Sequence, residues 1–415
     1  MGKGKGTIAF ISLAYKEAIV IGDLIIKDYR TYILGTPWRN LTYVVLETSD
    51  GITGTGEARI LGRTHTVLEL LKDTRRHFIG HSAYDTEALY QRFTRDDFNR
   101  AGSEAITALS LLEMACLDCQ GKKAGLPVYR LLGGKVRDRV PAYANGWYTV
   151  EREPEAFKEA AMKVVEKGYM GLKFDPFGSG DLELTRKEYN RSIGLIEAVA
   201  SVLPDYMQMF VEMHGRFSAH QAIEIAKDIE RLKPGWIEEP CRPDDLGAHA
   251  LVMAHTSIPV ATGERLYTPP EYRELFDRRA ANIIQVDPTN FGVLGAKRLA
   301  FMAEAYSMVI APHNVGGVIS TLAGIHLMAS LRNGKILEHF NDFADREVKN
   351  AATWYPEVID GHFILPDKPG WGVELDVDFI ESRPPKKIGD VILDPGLDMF
   401  VKTDWHKRGQ KNYDN

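Results

Sequence analysis

The chain has 415 residues, 44% hydrophobic and 26% charged, the profile of a soluble globular protein with room for one large domain and a smaller one. A formal net charge of −6 without a block of like charge gives no basic field for nucleic acid, so a small-molecule partner is expected. Three cysteines cannot staple a chain this long and no stretch approaches the ~20 apolar residues of a membrane span, so the expected setting is the reducing cytoplasm, with no membrane partner.

In chain order, "MGKGKGTIAFISLAYKEA" has lysines before an apolar run, but Lys16 and Glu17 break the run and no small-residue cleavage site follows; it reads as a strand rather than a signal peptide. "NLTYVVLETSDGITGTGEA" reads as two antiparallel strands joined at Asp50-Gly51. A helical region then runs to "LLGGKVRD". Its Cys116 and Cys119 spell C-x-x-C, yet with no second pair for a zinc site they read as buried small side chains.

Between about 140 and 340 one grammar repeats: a short apolar run, a polar or Gly/Pro/Asn stop, then an amphipathic helical segment. The runs are "VPAYANG", "GLKFDP", "MFVEMHG", "GWIEEP", "IPVATGE", "ANIIQVDP", "MVIAPHN" and "KILEHFN". Eight strands alternating with helices imply parallel βαβ units and a closed (β/α)8-type barrel. After residue 345 the sequence is irregular and β-like, "FILPDKPGWGVELD", and ends in a polar tail. The expected division is therefore 1–135 as a second domain, 136–360 as the barrel, and 361–415 as a return to the second domain followed by the tail.

In "FVEMHGRF", Glu212 and His214 stand two apart, so on a strand they share one face. Alone, such a pair suits the polar face of any surface strand; its company changes the reading. A barrel of this kind carries its active site at the C-terminal strand ends. The last inward residues of the runs are Lys173, Glu212 with His214, Glu238, Glu264, Asp287, His313 and Glu338. From Glu212 onward the strand-end residues are spaced by 26, 26, 23, 26 and 25, one βα unit each time, so they converge on one mouth. In "WIEEP" that spacing selects Glu238 over Glu239. Three adjacent carboxylates resist ionisation unless a cation sits between them, and hard oxygen ligands suit Mg2+, with Mn2+ as the alternative.

With "GLPVYRLLGGKVRD", "WIEEP", "ATGER", "QVDPTNFGV", "APHN" and "KPGWGVELD", this constellation resembles the enolase superfamily, in its mandelate racemase branch, over nearly the whole chain. "YANGWY", "LKFDPFG" and "HGRF" are most similar to acid-sugar dehydratases of the gluconate/galactonate type. The resemblance implies an α/β fold: a (β/α)7β TIM-like barrel with an α+β capping domain formed by the N-terminal and C-terminal segments. It also implies a homo-oligomer, often an octamer, and Mg2+ held by Glu212, Glu238 and Glu264. The family more often has Asp where Glu212 stands.

The reaction shared by such enzymes removes a proton α to a carboxylate, and His313 supported by Asp287 is the expected base. Many racemases and cycloisomerases of the family carry Lys-x-Lys on the second strand; here Lys173 is followed by Asp175 at the second position, which leaves a one-base enzyme. His214 then matches the general acid of galactonate-type dehydratases. Lys173 is expected to help neutralise the substrate carboxylate and Glu338 to hydrogen-bond one of its oxygens. The expected reaction converts an aldonate to a 2-keto-3-deoxy acid. The alternatives are a sugar-acid epimerase, racemase or cycloisomerase, with Asp175 or a loop residue as second base, and a barrel that binds metal without catalysis. Specificity is expected from the capping loops "KDYRTYILGTPWRN" and "EARILGRTHTV", with Trp147, Tyr148, Arg216 and Asp175 at the substrate.

Overall fold

The computed structural model describes residues 22–385 apart from Trp38, Asp97, Asn99 and Ser179. The strand expected in residues 1–18, Trp38 of the first capping loop and the polar tail after residue 385 lie outside the described residues. Among the described residues no helix is long and apolar enough to cross a membrane.

Strands β1 (Ile26–Gly35), β2 (Asn40–Thr48) and β3 (Thr53–Ala58) form an antiparallel sheet in that order, and β2 turns into β3 through Asp50 and Gly51. The helix Ser103–Ala124 lies directly on β3 because β3 presents Gly54 and Gly56, where a Cβ would collide with the helix carbonyls of Ala115 and Leu111. Covered by the sheet on one side and the barrel on the other, this helix is buried nearly all round, with Cys116 and Cys119 inside it as free thiols. The late segment returns here: the Trp371 indole donates to Thr55 O at 2.8 Å, and its N–H donates to Asp118 Oδ1 at 2.9 Å.

The barrel strands are β4 (Arg139–Ala144), β5 (Gly171–Phe174), β6 (Gln208–Glu212), β7 (Trp236–Glu238), β8 (Val260–Thr262), β9 (Ile283–Ile284), β10 (Val309–Ile310) and β11 (Leu337–His339), all parallel. β11 pairs with β4, and the seam to β10 closes through Ile310 N to Asn333 O at 2.9 Å and Lys335 N to Ile310 O at 2.7 Å. Helices fill the seven connections, while the chain after β11 takes a 3-10 turn at Arg346–Ala351, so the architecture is (β/α)7β rather than a full eightfold repeat. A hairpin of β12 (Val358–Ile359) and β13 (His362–Ile364) pairs antiparallel with the start of β4.

The two domains are joined by buried charge. Arg39 Nε donates to Asp345 Oδ2 at 2.8 Å with both side chains sealed from solvent. Glu57, at the end of β3, accepts from the N–H groups of Ile319 at 2.9 Å, Ser320 at 3.2 Å and Gly317, capping the barrel helix Val318–Ala329. Burial outweighs these donors and lifts the Glu57 carboxyl to about 7. The folded state therefore keeps a proton that the unfolded chain releases near 4.5, so this group's contribution to stability falls as pH rises from 4.5 to about 7. Glu57→Ala is expected to cost about 2–3 kcal/mol at low pH through loss of the cap and to flatten this slope; denaturant melts of both proteins at about pH 5 and about pH 8 measure the two effects.

Candidate active site

Each barrel strand points alternate residues inward, and successive inward positions do different work. Tyr143, Phe210, Trp236 and Ile336 form a buried floor; two residues later in each run come Asn145, Glu212, Glu238 and Glu338. The Phe210 and Trp236 rings stack with centroids 3.4 Å apart, and Tyr143 meets both edge-on. The floor also orients an acid, since Trp236 Nε1 donates to Glu238 Oε2 at 2.9 Å.

Glu212, Glu238 and Glu264 each bring a carboxylate oxygen within 4.8 Å of the others. Lys173 reaches into this group from β5, its Nζ 2.5 Å from Glu238, 3.0 Å from Glu338 and 3.2 Å from Glu212. Burial works against this ammonium, but Glu238, Glu338 and Glu212 outweigh it and raise its pKa well above the usual range. One ammonium is not enough for so many acids. Burial and the neighbouring Glu212 push the Glu238 carboxyl well above its usual range against the pull of Lys173, and burial raises Glu212 as well. Burial opposes ionisation of Glu264 too, but His313, Lys173 and Arg265 hold it at about 2. Glu212 Oε2 is buried without a hydrogen bond. Converging buried oxygens, one of them ion-paired with Lys173 at 3.2 Å but without a hydrogen bond, are the donor set of a hard divalent cation.

Beyond the end of β10, His313 Nδ1 donates to Asp287 Oδ2 at 2.7 Å, which turns Nε2 toward Glu264 Oε2, 3.3 Å away. Asp287 is itself held by the Thr289 N–H at 2.8 Å and hydroxyl at 2.7 Å. Burial disfavours the imidazolium, but Glu264, Glu338 and Asp287 outweigh it and raise His313 to about 9.

His214 reaches the site by a different route from the one its spacing suggests. β6 ends at Glu212, and His214 takes a left-handed backbone conformation with φ 46°, its N–H donating to Glu212 Oε1 at 2.8 Å. Its Nδ1 donates to Asp175 Oδ2 at 2.6 Å, and Nε2 stands 3.9 Å from Glu212 Oε2. Asp175 is also ion-paired with Arg216; burial opposes its ionisation, but Arg216 and His214 hold the carboxyl well below the usual range.

A cavity of about 310 Å³ opens over these groups, touching Lys173, His214, Glu264 and His313 below and Arg59, Arg63 and Ser103 of the capping domain above. Tyr148 lines it as expected, and the second capping stretch contributes Arg59 to Arg63. Arg265, Tyr267, Asn290 and Asn145 also line it and were missed: the first three stand in loops where alternation no longer indicates direction, and Asn145, in phase with Tyr143, is uncharged and was not among the charged strand-end residues singled out.

Several expectations need correction. Trp147 is not at the cavity: its indole donates to Lys173 O at 2.8 Å and packs against Phe174, in the layer between barrel and helices. Asp175 and Arg216 face each other behind His214 and do not line the cavity. Glu239 is as buried as Glu238, since a left-handed turn with φ 38° brings its carboxylate to Arg265. Glu338 accepts from Asn145 Nδ2 at 2.7 Å and Asn314 N at 2.8 Å. Burial opposes its ionisation, but Lys173 and His313 lower its pKa.

A barrel whose mouth joins a carboxylate triad, a lysine and a His–Asp pair, under a capping domain, defines an enzyme built to stabilise negative charge. The chain belongs to the mandelate racemase/muconate lactonizing enzyme family of the enolase superfamily: residues 35–133 match its N-terminal domain, and residues 156–379 match the Enolase C-terminal domain-like family. Members of that superfamily bind a divalent metal. Among its relatives, a D-gluconate dehydratase of Thermoproteus tenax is 35% identical over 83% of this chain and 70% of the relative. A D-gluconate/D-galactonate dehydratase of Picrophilus torridus is 33% identical over 91% and 97%. A D-xylonate dehydratase of Haloferax volcanii is 29% identical over 88% and 90%. A solved mandelate racemase/muconate lactonizing enzyme-like protein from Roseovarius sp. TM1035 superposes with a TM-score of 0.82 at 30% identity, covering 92% of this chain and 99% of the other.

A divalent cation is expected to bind with release of protons, since it competes with the proton that burial keeps on Glu238 and cancels the carboxylate field that holds one on His313. Affinity should therefore fall as pH falls. Calorimetry in two buffers of different ionisation enthalpy measures the release, and Glu238→Gln should weaken binding roughly 100-fold or more.

Proposed function

We propose that the protein is a Mg2+-dependent dehydratase of a sugar acid of the gluconate/galactonate type, converting an aldonate to its 2-keto-3-deoxy acid. The observation that carries this reading is the presence of two imidazoles at one cavity, each with a carboxylate on Nδ1. They follow the third and seventh of eight strands, so they approach from opposite sides of the mouth.

The residues fit Mg2+: oxygen ligands at about 2.1 Å stand up to about 4.2 Å apart, and the three glutamate oxygens, within 4.8 Å of one another, need only small side-chain rotations. Mn2+ has the same preference for oxygen and is the alternative. When bound by Glu212, Glu238 and Glu264, the ion supplies Lewis-acid stabilisation of charge on the substrate carboxylate.

The chain's own groups do the rest. Lys173 adds positive charge beside the substrate carboxylate. Neutral His313 takes the C2 proton on Nε2, and Asp287 stabilises the imidazolium that forms. The electron pair left at C2 is first delocalised into the carboxylate as an enediolate and then becomes the C2–C3 double bond as the C3–O bond breaks. His214 delivers a proton from Nε2 to the departing oxygen, which leaves as water. The resulting enol takes up a proton at C3 and releases the proton of its C2 hydroxyl, becoming the ketone. Asp175 as a second base for epimerisation is disfavoured, because both its oxygens are engaged by His214, Arg216 and the Phe177 N–H.

Purified protein with Mg2+ and a set of acid sugars in D2O, followed by NMR, tests the reading. His313→Asn should lose both deuterium exchange at C2 and keto acid, by about 10²–10⁴-fold, and inversion at C2 without loss of a hydroxyl would refute dehydration. Arg59 should bear on specificity, because no carboxylate of the described residues pairs with it while it lines the cavity from the capping side. Arg59→Met is expected to raise KM by about 10–100-fold, the scale of a hydrogen bond from a charged donor, with a smaller change in kcat.

A further inference from the structure

The position where two-base members of the family carry a second lysine holds Asp175, and its surroundings give it a different task. We infer that Asp175, clamped by Arg216, is a positioning residue that fixes His214 with Nδ1 protonated and Nε2 aimed into the cavity, and so turns this histidine into a one-directional proton donor. The inference rests on the reading of His214 as the acid that protonates the leaving hydroxyl.

A neutral imidazole carries one N–H, and the acceptor-only carboxylate 2.6 Å from Nδ1 requires it there. Nε2 is therefore the one ring nitrogen left to carry a transferable proton to the cavity. Giving it up breaks the Nε2–H bond, forms the new O–H bond and leaves the Nδ1–H tautomer already bonded to Asp175, so no ring rotation is needed between donor and spent states.

The carboxylate is itself immobilised. Asp175 Oδ1 accepts from Phe177 N at 2.9 Å, and Oδ2 is shared by His214 and Arg216. Arg216 is pinned in turn by its donation to Met213 O at 3.2 Å and to Gly178 O. The ring's backbone is fixed independently by the 2.8 Å bond from His214 N to the Glu212 carboxylate. A buried aspartate with an arginine behind it and an imidazole in front has no free oxygen for a substrate proton, which separates this arrangement from a second base.

The test uses the Mg2+-loaded enzyme and its best acid-sugar substrate in D2O. Asp175→Asn is expected to lose keto-acid formation by about 10²–10⁴-fold while C2 deuterium exchange stays of the same order, matching His214→Asn, with the double variant no worse than either. A merely structural role would lower exchange and dehydration together, and that result, or keto acid formed at the wild-type rate, overturns the inference. An independent readout does not need turnover: in 15N-histidine protein, the ring signals that vanish in His214→Asn should report a protonated Nδ1 wherever the protein is folded. An unprotonated Nδ1 overturns the inference even if the enzyme is a dehydratase. Wild-type exchange without any keto acid refutes the dehydratase reading instead, and the His214 ring signals then decide the positioning claim alone.

Discussion

Glutamates gathered in the sealed end of a β-barrel repel one another, and the rest of the site is arranged around that repulsion. Below them, the stacked Phe210 and Trp236 rings and the edge-on Tyr143 form a buried apolar floor, so the charges interact through a medium of low effective dielectric. Lys173 sits among three of the carboxylates, and Arg265 neutralises Glu239 beside them. Both cations are fully committed, and Glu238 still resists ionisation. A cation that satisfies the triad therefore does more than complete a binding site; it relieves the main unfavourable term in the folded core of the barrel mouth.

The same electrostatics couple the triad to the proposed base. His313 holds a proton chiefly because Glu264 and Glu338 face it, and a protonated imidazole cannot accept another. Glu264 lies between the two functions, close to His313 Nε2 and within the triad. Neutralising it removes the leading attraction on that proton, so filling the triad and freeing the base are one event seen from two residues. Asp287 remains as the smaller contribution that fixes the ring's direction while leaving the proton removable.

The sequence was most informative where direction repeats and least informative where it stops repeating. Phe210 and Glu212, and Trp236 and Glu238, each stand two apart on a regular strand, and a period of two with βα spacings of 26 residues brought the triad together, while Lys173, 39 residues before Glu212, joins it from the preceding strand. Past the strand ends the rule fails. Glu239 and His214 both turn left-handed, one bringing an acid inside that alternation would have sent out, the other placing an imidazole by a loop bond rather than by a strand face. The pairing of Asp175 with His214 joins loops of neighbouring strands across 39 residues, a contact that no local pattern encodes. Trp147 was misread for a related reason: an aromatic beside Tyr148 in a mouth loop suits a ligand, but only packing determines which of the two rings faces it.

The capping domain raises a separate physical question, because the groups that meet the far end of a substrate belong to a domain with its own core. Its register on the barrel is set by directional, buried contacts at the edge of a shared apolar cluster in which Leu34, Leu41 and Tyr43 pack with Val318, Ile319 and Leu322. Arg39 with Asp345 fixes the loop after β1 against the chain that follows β11, and the same guanidinium lies 5.0 Å over the Phe340 ring, which lines the cavity. Glu57 fixes the end of β3 on the helix that follows the His313 loop, where Ser320 bonds Asn314 and Asn314 bonds Glu338. Arg59 is two residues from Glu57, so the cation at the roof and the base at the floor are referenced to one helix terminus. Such contacts cost desolvation and reward only one geometry. That makes them poor sources of net stability and good sources of alignment, which suits a cavity lined from both domains.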